Sequence, residues 1–353
     1  MSALRNDEML QCGSVSSQTR GPDRARGRGG WLLSRRQFIA LLGGAATTWP
    51  LPLRAQQPAQ IPRIGIIDDS PMWNAFRQGL HDLGYLEGQN IAFDSRSADG
   101  VPARLAEAAA ELVRRPVDVI ATYGTPPTRA AQQATTTIPI VMIGIGDPVG
   151  AGLVASLARP GGNITGNTIL GPDVASKRLQ LLKEVIPSVS RAAFLWNPDN
   201  ASHPAQLKEL QAAAPRLDMQ LLPVAVRSAD ELDSAFAAMM RERADAFLMT
   251  ADPLHQRSIR RIIDFLTQNR LPGMFLTREV VVAGGFMSYG ASLPELFRHG
   301  ASYVHRILQG TKPADLPVER PRKFEFVINL KTAKAFGLTI PPPLLFQVDE
   351  VIQ

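Results

Sequence analysis

From Ile61 onward, short runs of β-branched and aliphatic residues alternate with longer segments whose apolar positions recur every three or four residues. A period near two that switches repeatedly to 3.6 predicts parallel βαβ units. The first strand is expected at Arg63–Ile67, ending on the polar run Asp68-Asp69-Ser70-Pro71. Met72–Leu83 then reads as a helix, with Trp73, Phe76, Leu80 and Leu83 on one stripe and Gly84 closing it. Further elements are expected as strand Ile91–Asp94, helix Ala103–Arg114, strand Val117–Ala121, a short helix to Ala134 and strand Ile138–Ile143.

Residues 158–172 change character, with a turn at Arg159-Pro160-Gly161-Gly162-Asn163 and an extended Thr165–Ile169 that reads as a crossover. A second alternating series follows. Its helices are expected at Val174–Val185, Pro204–Ala214, Ala229–Arg241 and Leu254–Gln268, and its strands at Ala192–Trp196, Gln220–Val224, Ala246–Met249 and Leu271–Phe275. Gly284-Gly285 with Phe286–Tyr289 reads as another crossover, before helix Leu293–Leu308 and an extended Phe324–Ile328. The fold class is therefore α/β, with two Rossmann-like lobes and a ligand cleft between them. One lobe takes residues 61–165 and 288–323, the other 170–284 and 328–353.

The segment before Ile61 belongs to neither series. Ser34-Arg35-Arg36-Gln37-Phe38-Ile39-Ala40 fits a twin-arginine export signal, and residues 31–55 read as that signal peptide. The Gly- and Ala-rich run that follows is shorter than the about 20 residues a membrane span needs, and Ala55 offers a small residue for cleavage. Residues 1–30 are rich in Arg, Gly and Ser and show no apolar period, so they are assigned no structure or an over-early start. The leader also explains the bulk charge. The chain carries 38 basic and 32 acidic residues, with a pI near 9.8, yet eight of the arginines and only three acids precede residue 56. The remainder is close to neutral, which removes the argument for nucleic-acid binding. The sole cysteine, Cys12, lies there too, so an exported form would be thiol-free and expected in the periplasm.

No catalytic or metal motif stands out. His81, His203, His255, His299 and His305 are scattered without a His-Glu-x-x-His run, so surface or structural roles are expected and no metal is assigned. There is no Gly-x-Ser-x-Gly elbow, Walker loop or Gly-x-Gly-x-x-Gly, and no cofactor is assigned. What remains is a set of polar residues directly after apolar strands: Ser70, Thr122, Gly124, Thr125, Asp147, Asn197, Asp252 and Tyr289. Such positions face the cleft of an open α/β sheet. Backbone N–H groups at a helix start near Thr125 would suit a carboxylate, and Asp147 or Asp252 an ammonium. Helix capping is the alternative for each of them. Trp73, Tyr123 and Trp196 are candidates for stacking on a ligand.

Long stretches resemble the ABC-transporter substrate-binding family that includes the tryptophan/tyrosine-type uptake proteins. They include Leu83-Gly84-Tyr85-Leu86-Glu87-Gly88-Gln89-Asn90, Gly146-Asp147-Pro148-Val149-Gly150, Arg159-Pro160-Gly161-Gly162-Asn163-Ile164-Thr165-Gly166, Ala251-Asp252-Pro253, Met287-Ser288-Tyr289-Gly290 and Val327-Ile328-Asn329-Leu330-Lys331-Thr332-Ala333-Lys334. The resemblance implies a type I periplasmic-binding fold, with three crossovers between lobes that close on a small-molecule ligand. It also implies an ABC permease and its ATPase as partners, the membrane being reached only through the permease, and a monomer is expected. Asp68–Ala75 is shorter than the family pattern, at a place that should border the ligand. Two rivals use the same scaffold. An enzyme acting on a small acid would need a nucleophile–base couple, and a ligand sensor would present its lobes to a membrane receptor.

Overall fold

The computed structural model describes residues 61–67, 70–99 and 101–353; the expected export signal, Asp68 and Asp69 lie outside the described residues. Two sheets organise the chain. The first runs in the order β2-β1-β3-β4-β5, with β1 Arg63–Ile67, β2 Ala92–Arg96, β3 Val119–Tyr123, β4 Ile140–Ile145 and β5 Ile164–Thr168, all parallel. The second runs β12-β11-β10-β9-β8-β6-β7, with β6 Arg191–Trp196, β7 Gln220–Ala225, β8 Ala246–Met249, β9 Gly273–Phe275, β10 Met287–Ala291, β11 Phe324–Asn329 and β12 Glu350–Ile352. Its pairs are parallel except β10 with β11. Buried strands such as Ile-Val-Met-Ile-Gly-Ile of β4 are apolar throughout because helices cover both faces.

The helices among the described residues are α1 Trp73–Asp82, α2 Leu105–Val113, α3 Thr125–Ala134, α4 Gly171–Val185, α5 His203–Ala213, α6 Leu232–Arg241, α7 Pro253–Arg257, α8 Ile259–Gln268, α9 Arg278–Val282, α10 Leu293–Leu308, α11 Leu330–Phe336 and α12 Pro342–Leu345. The expected helix over Leu254–Gln268 is interrupted at Ser258, between α7 and α8. Two expected crossovers are strands instead. Thr165–Thr168 belongs to β5 at the edge of the first sheet, and Met287–Tyr289 to β10 inside the second. The boundary drawn before residue 288 therefore moves to Ser292: β10 pairs in parallel with β9 and antiparallel with β11, so its backbone is committed to the second lobe.

The chain passes between lobes at Ile169-Leu170, at Ser292 and at Glu319–Lys323. These passages lie together on the β5 and β10 flank. The third is tied to the first lobe's edge, where Glu319 N–H donates to the Gly166 carbonyl and Thr168 N–H to that of Glu319. After the second passage, α10 returns to the first lobe and packs on α1. Gly79 permits this, since a Cβ there would meet that of Ala301 at 2.9 Å. Phe297 of α10 is fully buried, edge-on to Trp73 at 5.0 Å and tilted against Tyr123 at 5.1 Å. Phe297→Ala should therefore cost roughly 3–5 kcal/mol, measured as a fall in the urea midpoint; a loss under 1 kcal/mol would mean α10 is not held this way.

Candidate functional site

The strand order β2-β1-β3-β4-β5 reverses direction between β1 and β3. The second sheet repeats this order as β7-β6-β8-β9-β10, reversing between β6 and β8. Such reversal points open a crevice at the carboxyl ends of the strands, because the loops on either side leave in opposite directions. Here the two crevices meet. A pocket of about 110 Å³ is lined from the first lobe by Ile67 at the end of β1, by Ala98, Asp99, Val101 and Leu105 after β2, and by Pro126 and Pro127 after β3. From the second lobe it is lined by Asn197 and Asp199 after β6, Arg227 after β7, and Asp252, Pro253, Leu254 and Arg257 after β8.

The polar end of this pocket is built around Asp252. Its side chain is 2% exposed and caps α7, with Oδ1 accepting from Leu254 N–H at 2.9 Å. Oδ2 accepts from Asn200 Nδ2 at 2.9 Å and Asn197 Nδ2 at 3.3 Å. Behind it lie two fully buried imidazoles, His203 and His255, stacked at 6.3 Å. His203 Nδ1 lies 2.9 Å from the Asn197 carbonyl and 3.1 Å from the N–H of the same residue, and Nε2 lies 3.1 Å from the Ala251 carbonyl. Thr250 Oγ1 lies 3.3 Å from the Nδ1 of each histidine.

The eight residues expected at the cleft separate. Asn197 and Asp252 line the pocket. Gly124 and Thr125 start the turn whose next residues, Pro126 and Pro127, form its wall. Gly124 holds φ +81° with the Pro253 ring of the other lobe packed over it, and Thr125 Oγ1 lies 2.8 Å from Ser202 Oγ. The expected nest of N–H groups is reduced, because the helix starts at Thr125 and its second and third residues are prolines, which carry no N–H. Ser70 Oγ accepts from Met72 N–H at the start of α1, and Thr122 Oγ1 is bonded to Thr128 at 2.7 Å inside the first lobe. The Asp147 carboxylate is occupied by Gly150 N–H. Tyr289 packs on Phe324 and Phe326 across β10 and β11. These four do not line the pocket.

Nor do the stacking candidates. Trp73 is core against Phe76 and Phe297, Tyr123 lies on Phe297, and Trp196 packs into the second lobe's core. The three aromatics were drawn into the cores by the same apolar patterning that placed them beside strand ends. Sequence reasoning missed Asp199, Asn200, Ser202, Arg227, Arg257 and the Ala98–Leu105 wall. The polar run Asn197-Pro198-Asp199-Asn200 after an apolar strand was the available signal for the first two.

A family model described as ABC transporter substrate binding protein matches residues 70–352. The chain belongs to that family. A tyrosine-binding protein of Clostridioides difficile is 27% identical over 264 residues, covering 74% of this chain and 75% of that protein. A conserved domain protein of Vibrio cholerae shares the structure with a TM-score of 0.77 at 30% identity, over 83% of this chain and all of that one. An ABC domain from Streptococcus pneumonia, solved in complex with L-Trp, gives 0.77 at 27% identity, over 82% and 99% of the two chains. The substrate-binding protein thus has the two-lobed type I fold expected, and its partners are a small-molecule ligand and an ABC transporter. Its family points away from catalysis.

The buried histidines give this substrate-binding protein an acid-sensitive framework. Desolvation pushes His203 down to about 4, with nearby Asp252 opposing and His255 reinforcing the shift; burial lowers His255 as well. On unfolding, each ring returns to about 6.5, so between those values the unfolded chain binds the extra proton. The stabilisation is complete above about pH 6.5 and is lost as pH falls towards 4. Urea unfolding should show the wild type losing about 2 kcal/mol more than His203→Gln between pH 7 and pH 5; parallel pH profiles would contradict this.

Proposed function

We propose that this substrate-binding protein captures an α-amino acid with an apolar or aromatic side chain and hands it to an ABC permease driven by its ATPase. One observation carries the reading: an apolar pocket between the lobes ends on the buried carboxylate of Asp252. Among the described residues, the only basic group within 4 Å of that carboxylate is the imidazole of His203, which burial keeps neutral. A ligand ammonium would supply the missing positive charge and gain charge-assisted hydrogen bonds in a dry site. Ile67, Val101, Leu105, Pro126 and Leu254 would take the side chain. Arg227, which also lines the pocket and lies 3.7 Å from Asp199, would meet the ligand carboxylate in exchange for that ion pair.

The relatives support the same ligand class, one being a tyrosine-binding protein and another a complex with L-Trp. The apolar walls favour an apolar or aromatic side chain, and L-tyrosine, L-phenylalanine, L-leucine and L-tryptophan are the candidates. The twin-arginine leader, with cleavage near Ala55, would deliver a thiol-free monomer to the periplasm, where such a ligand is collected.

Isothermal titration with these four amino acids, and with analogues lacking the amino or the carboxylate group, tests the ligand. Asp252→Asn should weaken binding about 10-fold or more, and loss of the ligand amine should weaken it comparably. Absence of binding by all four amino acids would overturn the amino-acid reading. The leader is tested separately: Arg35→Lys combined with Arg36→Lys should hold the precursor in the cytoplasm on cell fractionation, whereas undiminished export would exclude the twin-arginine route.

A further inference from the structure

One side chain joins the two lobes and also lies one residue away, in hydrogen-bond terms, from the pocket carboxylate. Ser202 precedes α5 in the second lobe and is 1% exposed. Its Oγ lies 2.8 Å from Thr125 Oγ1 and accepts from Asp147 N–H at 3.1 Å, both in the first lobe. Thr125 is itself 3% exposed, so these contacts are made without water access at full strength. On the other side, Ser202 N–H donates to Asn200 Oδ1 at 3.1 Å. The same Asn200 amide donates through Nδ2 to Asp252 at 2.9 Å. Asn200 is therefore fixed at both ends, one by the pocket carboxylate and the other by the residue that meets the opposite lobe.

We propose that Ser202 is a positioning residue for closure. Through Asn200, the state of Asp252 sets the orientation of the Ser202 turn, and Ser202 latches the lobes through Thr125 and the Asp147 backbone. The proposal rests on reading the Asp252 pocket as the ligand site. A ligand on Asp252 restrains the carboxylate, the carboxylate restrains the Asn200 amide, and the hydroxyl is presented in register with two partners across the cleft. Opening breaks both latch bonds together, since one oxygen makes them. The latch needs no contact between Ser202 and the ligand. Its effect should fall on the lifetime of the closed state, and hence on ligand dissociation rather than capture.

The near absence of thiols makes this testable in the full chain. With Cys12→Ser, the pair Thr125→Cys and Ser202→Cys would be the only thiols, placed where two hydroxyl oxygens now lie 2.8 Å apart. Mild oxidation of the ligand-free protein should close an intramolecular disulfide, seen as loss of free thiol and altered mobility without reductant. Adding Asn200→Ala to that background should slow cross-linking roughly 3-fold or more, by the worth of one buried hydrogen bond. In stopped-flow work with L-tyrosine, Ser202→Ala should raise the dissociation rate roughly 3–10-fold with little change in association. Thiols that stay reduced in a chain with native circular dichroism would overturn the latch. A cross-linking rate indifferent to Asn200→Ala would overturn its coupling to the pocket. If L-tyrosine does not bind, the ligand assignment fails, while the cross-linking rates still decide the latch.

Discussion

A carboxylate withdrawn from water is costly unless its lone pairs are occupied, and Asp252, with no Lys or Arg within 4 Å of it among the described residues, sets that demand at the pocket. Its three donors come from three places: the first turn of α7, the end of β6, and the loop before α5. Supplying them brings Asn197, Asn200 and Leu254 of the second lobe to one point. The two imidazoles behind it complete the arrangement by remaining neutral, so the negative charge is solvated by dipoles and stays available to a ligand.

Much of this architecture was legible in the sequence. The alternation of period 2 and period 3.6 located β1, β8 and α10 to the residue, because each has an apolar stripe bounded by polar or turn residues. It failed where local pattern and tertiary pairing diverge. Thr165–Thr168 and Met287–Tyr289 carry small and polar residues that suit a connecting segment, yet neighbouring strands recruit both as ladder partners. The site was legible only in part. Asn197 and Asp252 follow apolar strands and line the pocket, but the side chains of Thr122, Asp147 and Tyr289, which also follow such runs, engage their own lobe. Position after a strand selects residues near the carboxyl edge. Only the strand order selects those at the reversal point, and strand order is not written locally.

The cores and the cleft divide the work of holding the molecule together. Within the first lobe, α10 is fixed by aromatic packing on Trp73 and Tyr123 and by the close approach at Gly79. Between the lobes near the pocket, the described contacts include the Ser202 hydroxyl, Ser202 and Gln206 against Gly146, a proline ring over Gly124, and the pocket walls. One buried apolar cluster also continues from Trp73 and Phe297 to Leu254 and Phe275, so closure draws on apolar burial as well as on polar contacts.

The three chain passages gathered on the β5 and β10 flank set the scale of that motion. Strands in a sheet lie about 4.8 Å apart, so the reversal point between β1 and β3 stands roughly 12 Å from the β5 edge. The flank is a fulcrum and the sheet a short lever. A rotation of about 30° would part the pocket walls by roughly 6 Å, while a surface twice as far from the fulcrum would travel twice that distance. Small ligands can therefore be admitted by a modest turn. The same turn is magnified at the outer rims of the lobes, where a membrane partner could read filled from empty.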